Sequence, residues 1–183
     1  MITEQENKRI SKLLSYLLRH HPEEIGIELD GQGWTNVEVL LAQVKTKQVE
    51  LTKEILEHIV TSNSKQRFAF NEDKSRIRAS QGHSVSISLG YQPQEPPEIL
   101  YHGTARLNLT SISEYGLQKK ERQHVHLSAD AENAFNVGQR HGKPIVIKVH
   151  AGEMHRNGLQ FFLSQNGVWL TDHVPASYLQ LPG

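Results

Sequence analysis

The sequence predicts an α+β chain of two lobes, and three observations carry that expectation. Residues 7–21 place Ile10, Leu13, Leu14, Leu17 and Leu18 at i, i+3, i+4, i+7 and i+8, the single apolar stripe of an amphipathic helix. From Phe68 onward the apolar runs are instead short and bounded by Gly, Asn, Asp and Pro, the signature of strands. Between these regimes lies Gln92-Pro93-Gln94-Glu95-Pro96-Pro97, which disfavours helix and reads as a stiff connector. The expected organisation is therefore a first lobe over 1–80, a linker over 81–98 and a second lobe over 99–183. The 183 residues, 37% of them apolar, suffice for one ordinary domain or two small ones.

In chain order, Pro22 stops the first helix. Arg19 and His20 fall in its last turn, just off the apolar stripe, where a cation suits the negative end of the helix dipole. Residues 25–29 alternate as a short strand, and Asp30-Gly31-Gln32-Gly33 is a turn. Thr35 or Asn36 can cap a second helix carrying Val37, Leu40, Leu41 and Val44. Thr52 can cap a third, with Ile55, Leu56, Ile59 and Val60 inward. Phe68-Ala69-Phe70 and Ile77 belong to two strands joined across 71–75 as a hairpin. Three helices followed by a hairpin is the order of a winged-helix module, which commonly binds nucleic acid. Arg67, Arg76 and Arg78, with Lys65 and Lys74, are the one basic concentration in the chain; its plain alternative is a solvated hairpin face.

In the second lobe an apolar strand runs into His102, then into Gly103, which lets a backbone approach a ligand closely, then into Thr104. A helix with Leu109, Ile112 and Tyr115 inward follows and ends at Gly116. Residues 124–128 alternate as a strand, and Ser128 can cap a helix holding Ala131, Ala134, Phe135 and Val137. Residues 145–149 form a nearly continuous apolar run, hence a buried strand. Phe161-Phe162 and Val168-Trp169-Leu170 supply two more strands, making this lobe mixed and sheet-rich.

Composition narrows the function. Lys plus Arg is 20 and Asp plus Glu is 20, and each lobe is neutral as well, 12 against 12 before residue 80 and 8 against 8 after it. A protein that coats nucleic acid by counterion release shows a basic excess, so any RNA contact here is local, as for an enzyme touching one phosphate. The absence of cysteine excludes disulfides and thiolate metal sites. A polar N-terminus and the lack of any apolar run near 18 residues imply a soluble, cytoplasmic protein with no membrane partner. His124 and His126 share a strand face as two metal ligands would, but no third ligand stands at a suitable spacing, so no metal is expected. Neither G-x-G-x-x-G after a strand nor G-x-x-x-x-G-K occurs, which speaks against hydride transfer from a nicotinamide cofactor.

Seven segments in one order carry a resemblance: LLRHHP at 17–22, KQRFAF at 65–70, QGHS at 81–84, YHGT at 101–104, HVHLS at 124–128, VGQRHGKP at 137–144 and NGVWLT at 166–171. From Ser11 to about Leu179 the chain resembles the NAD-dependent RNA 2′-phosphotransferases, including the tRNA 2′-phosphotransferases of splicing, a branch of the ADP-ribosyltransferase-like superfamily. That resemblance implies an ADP-ribosyltransferase-like second lobe, NAD consumed as co-substrate, no metal, and an RNA with an internal 2′-phosphate as partner of a monomeric enzyme. The implied reaction has two steps. The RNA 2′-phosphate attacks the anomeric carbon of the nicotinamide ribose, and nicotinamide leaves. The ribose 2″-hydroxyl then attacks the phosphate, freeing an RNA 2′-hydroxyl and ADP-ribose 1″,2″-cyclic phosphate. The family's essential Arg-His-Arg-Arg set falls on Arg19, His20, Arg67 and Arg140. At the nicotinamide end, His102 would hold the ribose and the Gly103 backbone the carboxamide. His126 occupies the superfamily's second position, and Val168 stands at the third, where many protein-modifying relatives carry Glu. Thr104 and Ser128 are further candidates for the NAD pocket.

The residue types suit that chemistry. A phosphate dianion must meet a dinucleotide that already carries two negative phosphates, and Arg forks neutralise such charge with fixed geometry. His20 is the one member of the set able to give or take a proton near neutral pH, at the departing RNA 2′-oxygen or the 2″-hydroxyl. Two other functions compete: ADP-ribose left on a terminal nucleic-acid phosphate, and a non-catalytic winged-helix regulator of nucleic acid.

Overall fold

The computed structural model describes residues 2–183, which divide into two compact units, the first ending at Gly90 and the second spanning Tyr91–Gly183. The first begins with helix α1, Glu4–Arg19. It starts three residues before the apolar stripe suggests because Thr3 and Glu6 form a capping box: the Glu6 amide donates to Thr3 Oγ1 (3.2 Å) and the Thr3 amide to Glu6 Oε2 (2.8 Å). The strand expected over 25–29 does not form. Pro22 instead nucleates one 3-10 turn, Pro22–Ile25, and the amides of Gly26 and Ile27 turn back onto the carbonyls of Glu23 and Pro22. The inward alternation of Ile25 and Ile27 is thus the burial pattern of a turn.

Strand β1 (Thr35–Asn36) leads directly into α2 (Val37–Val44), whose first turn is held by Asn36 Oδ1 accepting from the Val39 amide at 3.1 Å. Helix α3 (Lys53–Ser62) is capped by Thr52, as its sequence predicts. Strands β2 (Phe68–Phe70) and β3 (Arg76–Ala79) form the expected antiparallel hairpin, with Phe70 opposite Ile77, and β1 adds to the far edge of β3 with Thr35 opposite Ile77. Leu14, Leu17, Leu18, Leu40, Leu56, Ile59, Phe68 and Ile77 fill one core under this sheet. Residues 81–90, expected as linker, pack on this unit: the Ser84 amide donates to the Arg19 carbonyl and the Ser88 amide to the Gly31 carbonyl.

In the second unit, residues 91–98 lie against the body through the Gln94 amide on the Phe161 carbonyl. The elements are β4 (Leu100–Ala105), α4 (Leu109–Tyr115), β5 (Leu117–Gln118), β6 (Val125–Leu127), α5 (Ala131–Gly138), β7 (Pro144–Val149), α6 (Ala151–Arg156), β8 (Phe162–Leu163), β9 (Trp169–Thr171), β10 (His173–Val174) and β11 (Leu179–Gln180). They make three small antiparallel sheets, ordered β11-β7-β4, β6-β9-β8 and β10-β5. The fold is therefore mixed α and β, with six α-helices among the described residues. Leu100, Leu127, Ile147, Val149, Met154 and Phe161 centre its core.

Two expectations change here. Tyr115 is 60% exposed rather than inward, because the seven-residue α4 buries only Ile112. Ser128 does not cap α5; Asp130 does, its carboxylate accepting from the amides of Glu132 and Asn133, while the Ser128 backbone is committed to Tyr101. Helix α5 presses its Ala134 and Gly138 against β4, leaving Phe135 and Val137 outward. Among the described residues no helix is long and apolar enough to cross a membrane.

Candidate functional site

In the first unit the end of α1 presents Arg19 and His20. The cap is fixed by the His20 amide on the Tyr16 carbonyl at 3.0 Å. The segment 80–84 then stitches the site together. Its first residue bonds the β2 side, with the Ser80 amide on the Arg67 carbonyl (2.8 Å). Its last residue bonds α1 twice: the Ser84 amide donates to the Arg19 carbonyl (2.9 Å), and Ser84 Oγ lies 2.9 Å from His20 Nδ1. A hydroxyl both donates and accepts, so this contact fixes the orientation of the His20 ring and leaves its tautomer adaptable. Arg67 is half-buried, its guanidinium donating to Asn63 Oδ1 at 3.4 Å. Arg19, His20 and Arg67 are thus all tied to one five-residue segment.

His83, within that segment, is only 1% exposed, and neither ring nitrogen has a hydrogen-bond partner among the described residues. Burial, reinforced by the charges of Arg19, His20 and Arg78, pushes its pKa down to about 3, so it stays neutral at physiological pH. The basic hairpin resolves into individual pairings. Arg78 is 6% exposed, stacked 4.5 Å from the Trp34 ring centroid and donating to the Leu89 carbonyl. Arg76 pairs with Asp30 and Lys74 with Glu57. Arg67, Lys74, Arg76 and Arg78 therefore each have a structural partner, and a solvated basic face is the wrong description of Arg78.

The second unit's candidate residues are set by strand register. The Tyr101 amide and carbonyl both bond Ser128, at 2.8 Å each. Peptide groups along a strand point alternately to its two sides. Hence Leu100, His102 and Thr104 bond toward β7, opposite Val149, Ile147 and Ile145, while Tyr101 and Gly103 direct their amide and carbonyl toward β6. Past the single bridge at Tyr101, β4 pairs with β6 no further. The Gly103 amide and carbonyl consequently point into the gap between the two strands. The side of Gly103 that would bear a Cβ meets α5: such an atom would lie 1.6 Å from the Ala134 carbonyl oxygen. Gly103 is thus required by helix packing, and its peptide groups are what face the gap.

Across that gap His102 Nδ1 lies 3.0 Å from the His126 carbonyl oxygen. A carbonyl only accepts, so Nδ1 carries the proton and Nε2 the lone pair. Burial lowers the His102 pKa, with Arg122, His141 and Lys120 adding to the effect, so the ring is a neutral acceptor. His126 follows in β6, its Nδ1 3.3 Å from Arg122 Nη1. Thr104 Oγ1 accepts from Asn108 Nδ2 at 2.9 Å and so braces the turn after β4. Val168 closes the β8–β9 hairpin, its amide donating to Ser164 Oγ at 3.0 Å. Arg140 lies exposed in the single turn Gln139–His141 after α5. His83 and Ser84 lie outside the expected site set although the QGHS segment at 81–84 contains them; nothing in that segment shows that the serine meets His20.

A family model described as "RNA 2′-phosphotransferase, Tpt1 / KptA family" matches residues 5–173. Over 169 residues the chain is 54% identical to a probable RNA 2′-phosphotransferase of Agrobacterium fabrum, covering 92% of this chain and 91% of that one. It is 51% identical over 173 residues to a protein of the same description from Flavobacterium johnsoniae (94% and 95% covered) and 46% identical over 173 residues to one from Fusobacterium nucleatum (94% and 97%).

Proposed function

The chain belongs to the RNA 2′-phosphotransferase family, and from that premise we propose that it transfers an internal RNA 2′-monophosphate to NAD, splice junctions of tRNA being one source of such RNA. The observation that supports the NAD half is the strand parity at β4. The Gly103 amide and carbonyl, directed into the β4–β6 gap, offer one donor and one acceptor, the complement of a carboxamide such as that of nicotinamide. His102, neutral with its lone pair on Nε2, can accept from a ribose hydroxyl beside them. NAD, when bound, supplies an anomeric carbon with nicotinamide as leaving group.

The protein's own groups then handle charge and protons. Arg19 and Arg67, both tied to the 80–84 segment of the first unit, are assigned to the phosphate oxygens, whose charge grows during transfer. His20, held by Ser84, delivers a proton to the departing RNA 2′-oxygen or accepts one from the attacking hydroxyl. A phosphate nucleophile is already anionic, so Val168 in place of a carboxylate costs nothing. To test this, an RNA with one internal 2′-phosphate is incubated with and without NAD in chelator. Dephosphorylated RNA, nicotinamide and ADP-ribose 1″,2″-cyclic phosphate, formed only with NAD, are the expected products. A stable ADP-ribosylated RNA would instead assign the protein to terminal-phosphate ADP-ribosylation, and release of inorganic phosphate without NAD would refute the proposal.

A further inference from the structure

The end of α1 carries aromatic surface beside the residues already placed in the site. Tyr16 lies four positions before His20, on the same face of the helix end, and is 40% exposed. Its ring meets that of His21 at 4.6 Å between centroids, inclined by 34°. The His21 side chain is 45% exposed, and its ring lies 6.5 Å from that of His20. Three rings thus run from Tyr16 through His21 to the imidazole assigned to the phosphate. The 3-10 turn Pro22–Ile25 holds the first two by their polar atoms. The Tyr16 hydroxyl donates to Glu24 Oε1, while Oε2 of that carboxylate accepts from Lys47 Nζ at 2.7 Å. His21 Nδ1 lies 3.0 Å from Glu23 Oε1, and the His21 amide donates to the Tyr16 carbonyl at 3.1 Å. The rotamers of both rings are therefore restricted before any ligand arrives, so a group stacked on them orders little more.

We propose that Tyr16 and His21 form a stacking platform for an RNA base carried at or beside the 2′-phosphorylated nucleotide. The occupant rests on the RNA reading above; the arrangement of the rings does not. Three observations select a base. The platform is continuous with the phosphate site through His20, and a ribose carries its base and its 2′-phosphate together. The chain before residue 80 is neutral, 12 basic against 12 acidic, so this unit cannot hold RNA by counterion release alone, and stacking adds affinity without net charge. The Tyr16 hydroxyl and His21 Nδ1 are engaged within the protein, so what remains exposed is chiefly ring surface, which accepts any base. The RNA is single-stranded there, because a base within a duplex has no free face to offer.

The test uses the full chain and a single-stranded oligoribonucleotide with one internal 2′-phosphate, its binding followed by fluorescence anisotropy without NAD. A matched series removes one base at a time, leaving an abasic ribose. Wild type should lose about tenfold in affinity when one base at or beside the phosphorylated nucleotide is removed, and little elsewhere. Tyr16→Leu and His21→Leu should each weaken binding of the intact RNA, Tyr16→Leu about tenfold, and cost nothing further on that abasic RNA, because both changes remove the same contact. Tyr16→Phe, which keeps the ring, should stay within about threefold of wild type. Rings that merely finish the helix would give losses that add, with intact and abasic RNA weakened alike, and that result overturns the proposal. So does a wild type indifferent to every abasic position. Equal binding of phosphorylated and unphosphorylated RNA refutes the phosphate reading instead, and coupling of Tyr16→Leu to one abasic position would still sustain the platform.

Discussion

The two units hold their imidazoles by opposite means. In the first, His20 is oriented by a side chain, Ser84 Oγ, on an irregular segment, and neutral His83 lies buried near cationic groups, with no partner for either nitrogen among the described residues. In the second, His102 is oriented by a backbone carbonyl, and its strand is fixed by register against β7 and by the direct seating of α5. One site is built of side-chain chemistry and the other of backbone placement. Steric changes should therefore break the second, and chemical or pH changes the first.

The largest effect belongs to Gly103→Ala. The new methyl would sit 1.6 Å from the Ala134 carbonyl oxygen, and two backbones cannot yield as a side chain can. Denaturant unfolding of the second unit should lose more than about 3 kcal/mol. Gly138→Ala, whose added atom meets Thr104 backbone and Pro144 Cβ at 2.9–3.2 Å, should lose about 1–3 kcal/mol. Equal, small losses in both would show that α5 is not seated as described.

Next comes acid. His83 titrates at about 3 in the folded chain and near its ordinary value of 6.5 when unfolded. Between those values the unfolded state binds a proton that the folded state refuses, so stability from this group is complete above 6.5 and falls with pH. The slope is about 1.4 kcal/mol for each tenfold rise in proton concentration. His83→Gln should flatten that part of the stability profile; an unaltered profile would contradict the burial of a neutral ring.

A subtler change is Ser84→Ala, which removes the hydroxyl that meets His20 Nδ1. Turnover should drop about tenfold with little change in RNA affinity, as expected when orientation rather than binding is lost. Equal turnover would show that Ser84 does not set the ring. Smallest is Asn36→Ala, which should cost the first unit about 1 kcal/mol of stability through the α2 cap and leave turnover unchanged.

The same contrast explains what was legible in the sequence. Helices α1, α2 and α3 and the β2–β3 hairpin were readable because period, caps and turn residues agree locally. The true start of α1 was also written in Thr3 and Glu6, as a capping box outside the apolar stripe. The alternation at 25–29 misled because a Pro-anchored turn can bury every second residue without pairing. Strands β5, β10 and β11 and the six-residue α6 are too short to show a period; the strands are held by long-range pairing, and α6 by local bonds such as the Met154 amide on the His150 carbonyl. For the candidate site, the motifs single out residues but not the partners those residues meet in the fold. That Ser84 meets His20, 64 positions away, or that Gly103 abuts Ala134, is tertiary information.

The central claim is a division of labour: backbone groups of β4 take the dinucleotide, and the end of α1 takes the phosphorylated RNA. Backbone NMR of the full chain, titrated separately with NAD and with an RNA bearing one internal 2′-phosphate, tests it most directly. The account predicts that NAD shifts the Gly103 amide and the His102 ring, and that the RNA shifts His20, Ser84 and the Arg19 guanidinium. NAD binding that leaves Gly103 and His102 unmoved, or 2′-phosphorylated and unphosphorylated RNA acting alike on His20, would contradict it.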